Sequence, residues 1–336
     1  MRKIACFLAV AACVSCNYDV ADVSGDALGS RDCGQLSVTI DFETTGTKAL
    51  TDYTQSLAEE NSIHKISVLV FDKSTGALNA YKEIESSADE CVLSVTTGEK
   101  TVYAVMNGPD LGTVTTIDQF KQVVDDLSTT DIQSDGLVMV GYEDCVVRSR
   151  ETAEPRITVK RLVARVVLKK ITNKVPPQYG AMTIDCVYLG TACTKQTFGG
   201  VSSNPVNVGG FADAAKTLPI GKGDVTGSCP AYMYRSVGCS IATGATDSSK
   251  QHLYCHPNAT GSMTCMYVLV TIMGSQYYYR VPLKDGLEAN KTYSVELEIA
   301  NLGSVLPPDG DFQKGDIMPV INVSGWDAGD SYIVEF

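Results

Sequence analysis

Residues 35–42 read Gln-Leu-Ser-Val-Thr-Ile-Asp-Phe. Leu36, Val38, Ile40 and Phe42 fall on one face of an extended chain, and Ser37, Thr39 and Asp41 on the other. Period-two alternation of this kind predicts an antiparallel strand that buries one face and wets the other. The stretch IHKISVLVFD at 63–72 predicts a stronger strand, closed by the turn residues Lys73-Ser74-Thr75-Gly76. Residues 91–95 and 101–106 continue the pattern across Gly98, followed by 137–141, 145–147, 157–159 and 164–171. Further on, 182–190, 263–273, 277–283 and 292–300 carry the same signal. One segment differs: in TIDQFKQVVDDL (116–127), Ile117, Phe120, Val123, Val124 and Leu127 recur at helical spacing behind Thr116, a good N-cap. Short strands with many turns predict an all-β chain with one or two short helices, built as sandwiches rather than a parallel α/β fold.

The chain has 336 residues, enough for about two domains at the usual ~100–200 residues each. Hydrophobic residues make up 44% and charged residues 20%, so it can bury a core. The net charge is −12, and such a chain gains nothing from counterion release on a polyphosphate, which argues against nucleic-acid binding. Three histidines leave little for imidazole chemistry. There is no G-x-G-x-x-G behind a strand, no P-loop, no G-x-S-x-G and no evident Ser/His/Asp set, so no enzyme is expected. His64 reads as a surface or packed residue, and Asp125-Asp126 as solvated surface.

The N-terminus reads as an export signal. Met1-Arg2-Lys3 is a basic head, and Ile4 to Ser15 carries no charge. That run is shorter than the ~20 apolar residues needed to cross a bilayer. Small residues closing on a cysteine suggest lipoprotein processing at Cys16, with Cys13 behind Val10-Ala11-Ala12 as the competing site. Loss of Arg2 and Lys3 with residues 1–15 takes the net charge from −12 to −14. Later in the chain lie Cys33, Cys91, Cys145, Cys186, Cys193, Cys229, Cys239, Cys255 and Cys265. In an exported chain disulfides are the default expectation for such a set. His252, Cys255 and His256 form H-x-x-C-H, but a zinc site wants four ligands at tighter, repeated spacing, so no metal and no cofactor are expected. Tyr277-Tyr278-Tyr279 is a candidate aromatic platform for a glycan, with Tyr277 and Tyr279 on one face of a strand.

Four segments together resemble the fimbrillin family, the FimA-like type V pilin subunits of outer-membrane pili. They are the lipoprotein signal ending Cys16-Asn17; QLSVTIDF, a polar loop holding Lys48-Ala49, and KISVLVFD (65–72); VKRLVARVVL (159–168), like the basic hinge between two domains; and NKTYSVELEI (290–299), followed by a Gly/Pro/Asp stretch and a last segment around Gly325-Trp326. The resemblance implies two transthyretin-like antiparallel β-sandwich domains. It also implies a division into signal peptide (1–15), propeptide with the first strand (16–48), N-terminal sandwich (49–162), C-terminal sandwich (163–316) and C-terminal donor segment (317–336).

The mechanism it implies is export to the outer membrane as a lipoprotein, proteolysis between Lys48 and Ala49, and departure of the strand bearing Leu36, Val38, Ile40 and Phe42. The C-terminal strand of another subunit then fills the groove, with Ile321, Val323, Trp326, Tyr332, Val334 and Phe336 as donor residues. The implied partners are further copies, other pilus subunits, and a host protein or glycan. Fimbrillins often carry arginine where this chain has Lys48. The alternatives are an anchor or tip subunit of the pilus, and a glycan-binding surface lipoprotein.

Overall fold

The computed structural model describes residues 33–42, 57–84, 91–129, 132–205, 231–258, 264–283, 286–305, 317–326 and 334–335. The predicted first strand is broken at Val38 into two pieces that lie in different sheets. Cys33–Ser37 is the middle of a three-stranded sheet, between Val92–Thr96 and Thr152–Ala153. Thr39–Phe42 joins a seven-stranded sheet, beside Arg156–Arg161. Gly98, at φ +118°, makes the same crossing for the chain between Val92–Thr96 and Gly98–Met106. Only glycine takes that backbone conformation without steric cost.

The expected antiparallel pairing holds against Val92–Thr96 and against Val334–Glu335. Against Thr152–Ala153 and Arg156–Arg161 the first strand runs parallel. Its partners lie far away in sequence, so no tight hairpin dictates their direction.

Between the two sheets lies the first core, where Leu36, Val38 and Ile40 meet Ile66, Val68, Val70, Val102 and Ile157. The strand Ile66–Asp72 is buried from Ile66 to Phe71, because a second layer covers its other face. There Leu69 and Phe71 pack on Tyr103 and on Phe120 of the short helix Ile117–Gln122. Thr116 caps that helix, accepting a hydrogen bond from the Gln119 N–H at 3.2 Å. The predicted helix to residue 127 is too long. Val123 turns extended, and Val124–Asp126 pairs with Lys195–Thr197 from the second half of the chain. A cross-chain ladder outweighs a weak local helical preference.

The second sandwich has one sheet with Ala164–Asn173 beside Lys291–Ile299, and Ile317–Gly325 on its edge. Gln251–Cys255 and Thr246–Asp247 flank Ala164–Asn173 on its other side. The facing sheet orders Tyr234–Ile241, Met182–Gly190, Cys265–Ile272 and Ser275–Pro282. Val166, Leu168, Ile184, Val268 and Val295 fill the space between them. Among the described residues no helix is long and apolar enough to cross a membrane.

The disulfide expectation is not met: no disulfide joins the described cysteines. Cys91, Cys186, Cys193, Cys255 and Cys265 are buried among core side chains. Burial pushes the Cys91 thiol up to about 11 and the Cys186 thiol to about 12, away from the reactive thiolate.

Candidate functional site: first strand, tail and junction

The aliphatic side chains described on the first strand are all buried. Leu36, Val38 and Ile40 are each 0% exposed. Burying an aliphatic side chain is worth ~1.5–3 kcal/mol, so these three hold the strand by several kcal/mol, and an emptied groove would favour a replacement of the same pattern. The backbone is tied as well. Gln35 N–H donates to Glu151 O at 3.0 Å, Val38 N–H to Cys91 O at 3.2 Å and Thr39 N–H to Pro155 O at 3.1 Å. On the wet face Arg156 forks onto the Asp41 carboxylate, an exposed pair of small energetic weight. Cys16, Lys48 and Ala49 lie outside the described residues, as does the side chain of Phe42.

The tail is engaged at three places. Ile317–Gly325 pairs antiparallel with Lys291–Ile299, setting Ile321 opposite Val295 and Val323 opposite Tyr293. Trp326 is wholly buried where the two sandwiches meet. Val334–Glu335 then pairs antiparallel with the first strand, Val334 opposite Ile40 and Glu335 opposite Thr39. Tyr332 and Phe336 lie outside the described residues.

Trp326 sits in a cage built by the basic segment 159–168. The guanidinium carbon of Arg161 lies 4.7 Å from the indole centroid and that of Arg165 lies 4.6 Å away. Tyr254 stacks at 5.9 Å. Cations over a desolvated indole face are worth up to ~2 kcal/mol. The backbone N–H of Trp326 donates to Asn290 O at 3.2 Å, while its indole N–H has no partner.

Behind the cage is a carboxylate that the sequence did not single out. Glu60 is 0% exposed and lies in the turn before the strand Ile66–Asp72. Its Oε2 meets Arg165 Nη1 at 2.6 Å and accepts from the Leu57 N–H at 2.7 Å. Its Oε1 accepts from the Tyr254 hydroxyl at 2.5 Å. Arg165 Nε also donates to Thr292 Oγ1 at 3.1 Å, and Arg161 donates to Asn61 Oδ1 at 2.6 Å. Burial draws the Arg161 guanidinium down to about 10, with Glu60 opposing and Arg165 adding to the shift. Burial also holds the Tyr254 hydroxyl well above its usual range, with the Glu60 charge beside it adding to the effect. The predicted basic hinge is therefore a buried clasp joining first sandwich, second sandwich and tail.

A second buried pair spans the same junction. Asp125 Oδ2 lies 3.4 Å from His256 Nε2, and the two residues are 4% and 0% exposed. Asp125 is thus not the solvated acid its sequence context suggests, whereas Asp126 beside it pairs with Lys195 at 2.8 Å. Burial lifts the Asp125 carboxyl to about 7 and lowers the His256 imidazole to about 4. Folding favours neutral Asp125, so its contribution is present at low pH and lost as pH rises toward 7. Folding favours neutral His256, so its contribution is present above about 6.5 and lost as pH falls toward 4. Between those limits the two slopes oppose each other. Asp125→Asn is expected to leave the histidine slope uncompensated, lowering stability by about 2 kcal/mol more at pH 4.5 than at pH 7 relative to the parent chain. Urea unfolding at the two pH values measures this, and parallel pH profiles for parent and variant would refute it.

The remaining candidates fall elsewhere. His252 and Cys255 alternate along one strand, so they point to opposite faces. Among the described residues no group of three or more His, Cys, Asp or Glu is placed to hold a metal ion. The tyrosine platform is not formed: Tyr278 and Tyr279 are buried, and the Tyr279 hydroxyl bonds Asn301 O at 2.8 Å. His64 is exposed ahead of its strand.

Comparison with known proteins bears out the fimbrillin resemblance. Residues 35–153, beginning on the first strand, match the family model of the major fimbrial subunit protein FimA. No curated protein matches the chain. Among solved structures, a candidate cell adhesion protein of Parabacteroides distasonis superposes with TM-score 0.65 at 19% identity, covering 88% of this chain and 97% of that one. A fimbrilin (FimA) of Porphyromonas gingivalis gives 0.60 at 12% identity, covering 88% and 99%. A candidate cell adhesion protein of Bacteroides eggerthii gives 0.59 at 17%, covering 91% and 100%. At these identities the structural likeness is one of fold.

Proposed function

We propose, from the match of residues 35–153 to the FimA family model, that the protein is a pilus subunit that polymerises by strand exchange. The precursor travels to the outer membrane with lipid on Cys16. A surface protease hydrolyses the peptide bond between Lys48 and Ala49, and the first strand departs. The C-terminal segment of another copy then lays its alternating apolar residues in the groove. Subunits added head to tail by such a heterologous contact form an open filament at the cell surface, suited to adhesion. The role is structural rather than catalytic.

The observation that carries this reading is the first strand itself. It holds three wholly buried aliphatic side chains, yet its partners are all distant in sequence, and Lys48 follows it six positions after Phe42 in the sequence. A strand so placed can be cut away from the body and replaced by another of like pattern. The glycan-binding alternative is less favoured, since Tyr279, one of the two tyrosines that share the platform face, is buried. Mass spectrometry of the mature N-terminus from intact cells tests the proposal. A start at Ala49 is expected. A lipidated Cys16 on the assembled protein would overturn processing and make the chain an anchor subunit or a permanent surface lipoprotein.

A further inference from the structure

The outer edge of the strand Thr39–Phe42 is covered at Thr39 and Ile40 by the chain's own Val334–Glu335. In the seven-stranded sheet the order runs Val334–Glu335, Thr39–Phe42, Arg156–Arg161, so the tail strand is the terminal one and Thr39–Phe42 is its sole ladder partner among the described residues. We propose that this contact parks the donor in cis on the strand to be removed, so that one cleavage opens the acceptor groove and frees the donor together. The inference rests on the strand-exchange reading and adds the control that such a reading lacks.

Three features of the tail support it. First, an uncovered strand edge is a template for pairing with another chain, and a precursor at high local concentration risks premature addition. Val334–Glu335 occupies that edge. Second, the two grips on the tail differ greatly in strength. Ile317–Gly325 is held by a nine-residue register against Lys291–Ile299, and Trp326 by two guanidinia and Tyr254. Val334–Glu335 has a two-residue register. Loss of the first strand therefore removes the ladder partner of Val334–Glu335 and leaves Ile317–Trp326 held. Third, the ten residues after Trp326 reach at most about 35 Å when extended. The freed end can cross to a neighbouring subunit while its root stays caged at the junction. Release and capture thus concern the last residues, and Trp326 acts as the pivot.

The test uses the full precursor and a Thr39→Cys, Glu335→Cys variant. These positions face one another in the antiparallel register, within disulfide reach, and Thr39 points away from the core. Mild oxidation of the uncut monomer is expected to join positions 39 and 335 within one chain, mapped by peptide mass. After cleavage at Lys48 the oxidised variant should give no ladders until reductant is added. On the parent chain, amide exchange of the peptide containing Val334 and Glu335 should speed up about ten-fold or more on cleavage under dilute, monomeric conditions. If no 39–335 link forms in the uncut monomer and exchange is unchanged by cleavage, while reduced cleaved protein still polymerises, the parking contact is overturned and the strand-exchange reading stands. If the link forms and exchange responds, but the reduced cleaved protein never polymerises, the parking contact stands and the strand-exchange reading falls.

Discussion

Lys48→Ala is expected to leave export and folding unchanged and to abolish filaments. The side chain comes after the first strand in a Thr/Gly-rich stretch, Thr44-Thr45-Gly46-Thr47, the kind of polar segment that proteases enter. Without the cut, Leu36, Val38 and Ile40 stay in the groove, which is then closed to any incoming strand. The expected effect is a loss of high-order ladders on gels of mildly heated surface protein, with the monomer at normal abundance. Normal ladders from the variant would overturn the processing site. Arg31 offers a control: it precedes the first strand, so cleavage there removes the lipid and leaves the groove filled. Arg31→Ala should therefore assemble normally.

Arg165→Met is expected to lower stability by about 3–5 kcal/mol, since breaking a buried ion pair leaves the other charge uncompensated. Glu60 would remain wholly buried, with the Tyr254 hydroxyl and the Leu57 N–H as its donors and Arg161 close by. Trp326 would lose one of its two cations. Adding Glu60→Gln to the same chain removes the orphaned charge, so the double variant should lose less than the sum of the singles, by about 1 kcal/mol or more, as expected for residues in direct contact. Urea unfolding of the four chains measures the cycle, with the first transition used if the sandwiches unfold separately. Additive losses, or a single-variant loss below about 1 kcal/mol, would show that the clasp does not hold the junction. Because the clasp also roots the tail, Arg165→Met should raise exchange in Ile317–Gly325, a readout that a purely local packing defect would leave unmoved.

Strand content was legible from residues alone wherever one face is wet. The alternation of 35–42 marked Leu36, Val38 and Ile40 as core, and all three are buried. Several strands were missed. Leu78–Ile84 and Tyr234–Ile241 are edge strands, and their half-buried faces carry little contrast. The helix at 116–127 was overextended because its last turn was decided by pairing with Lys195–Thr197, some seventy residues away. The cysteines invited disulfides by count, while their placement depends on which core each strand enters.

Local chemistry, by itself, determined that this chain makes two β-rich halves, that its first strand has a core face, and that its opening residues resemble a lipoprotein signal. Period, turn residues and apolar runs act over a few positions and can be read there. The tertiary structure alone decided that the first strand splits between two sheets, that Glu60 meets Arg165 across 105 positions, that Asp125 is buried against His256, and that Val334–Glu335 pairs with Thr39–Ile40. Those are contacts between residues distant in the chain. Their free energy comes from burial and charge pairing that exist only once both partners have been brought out of water together.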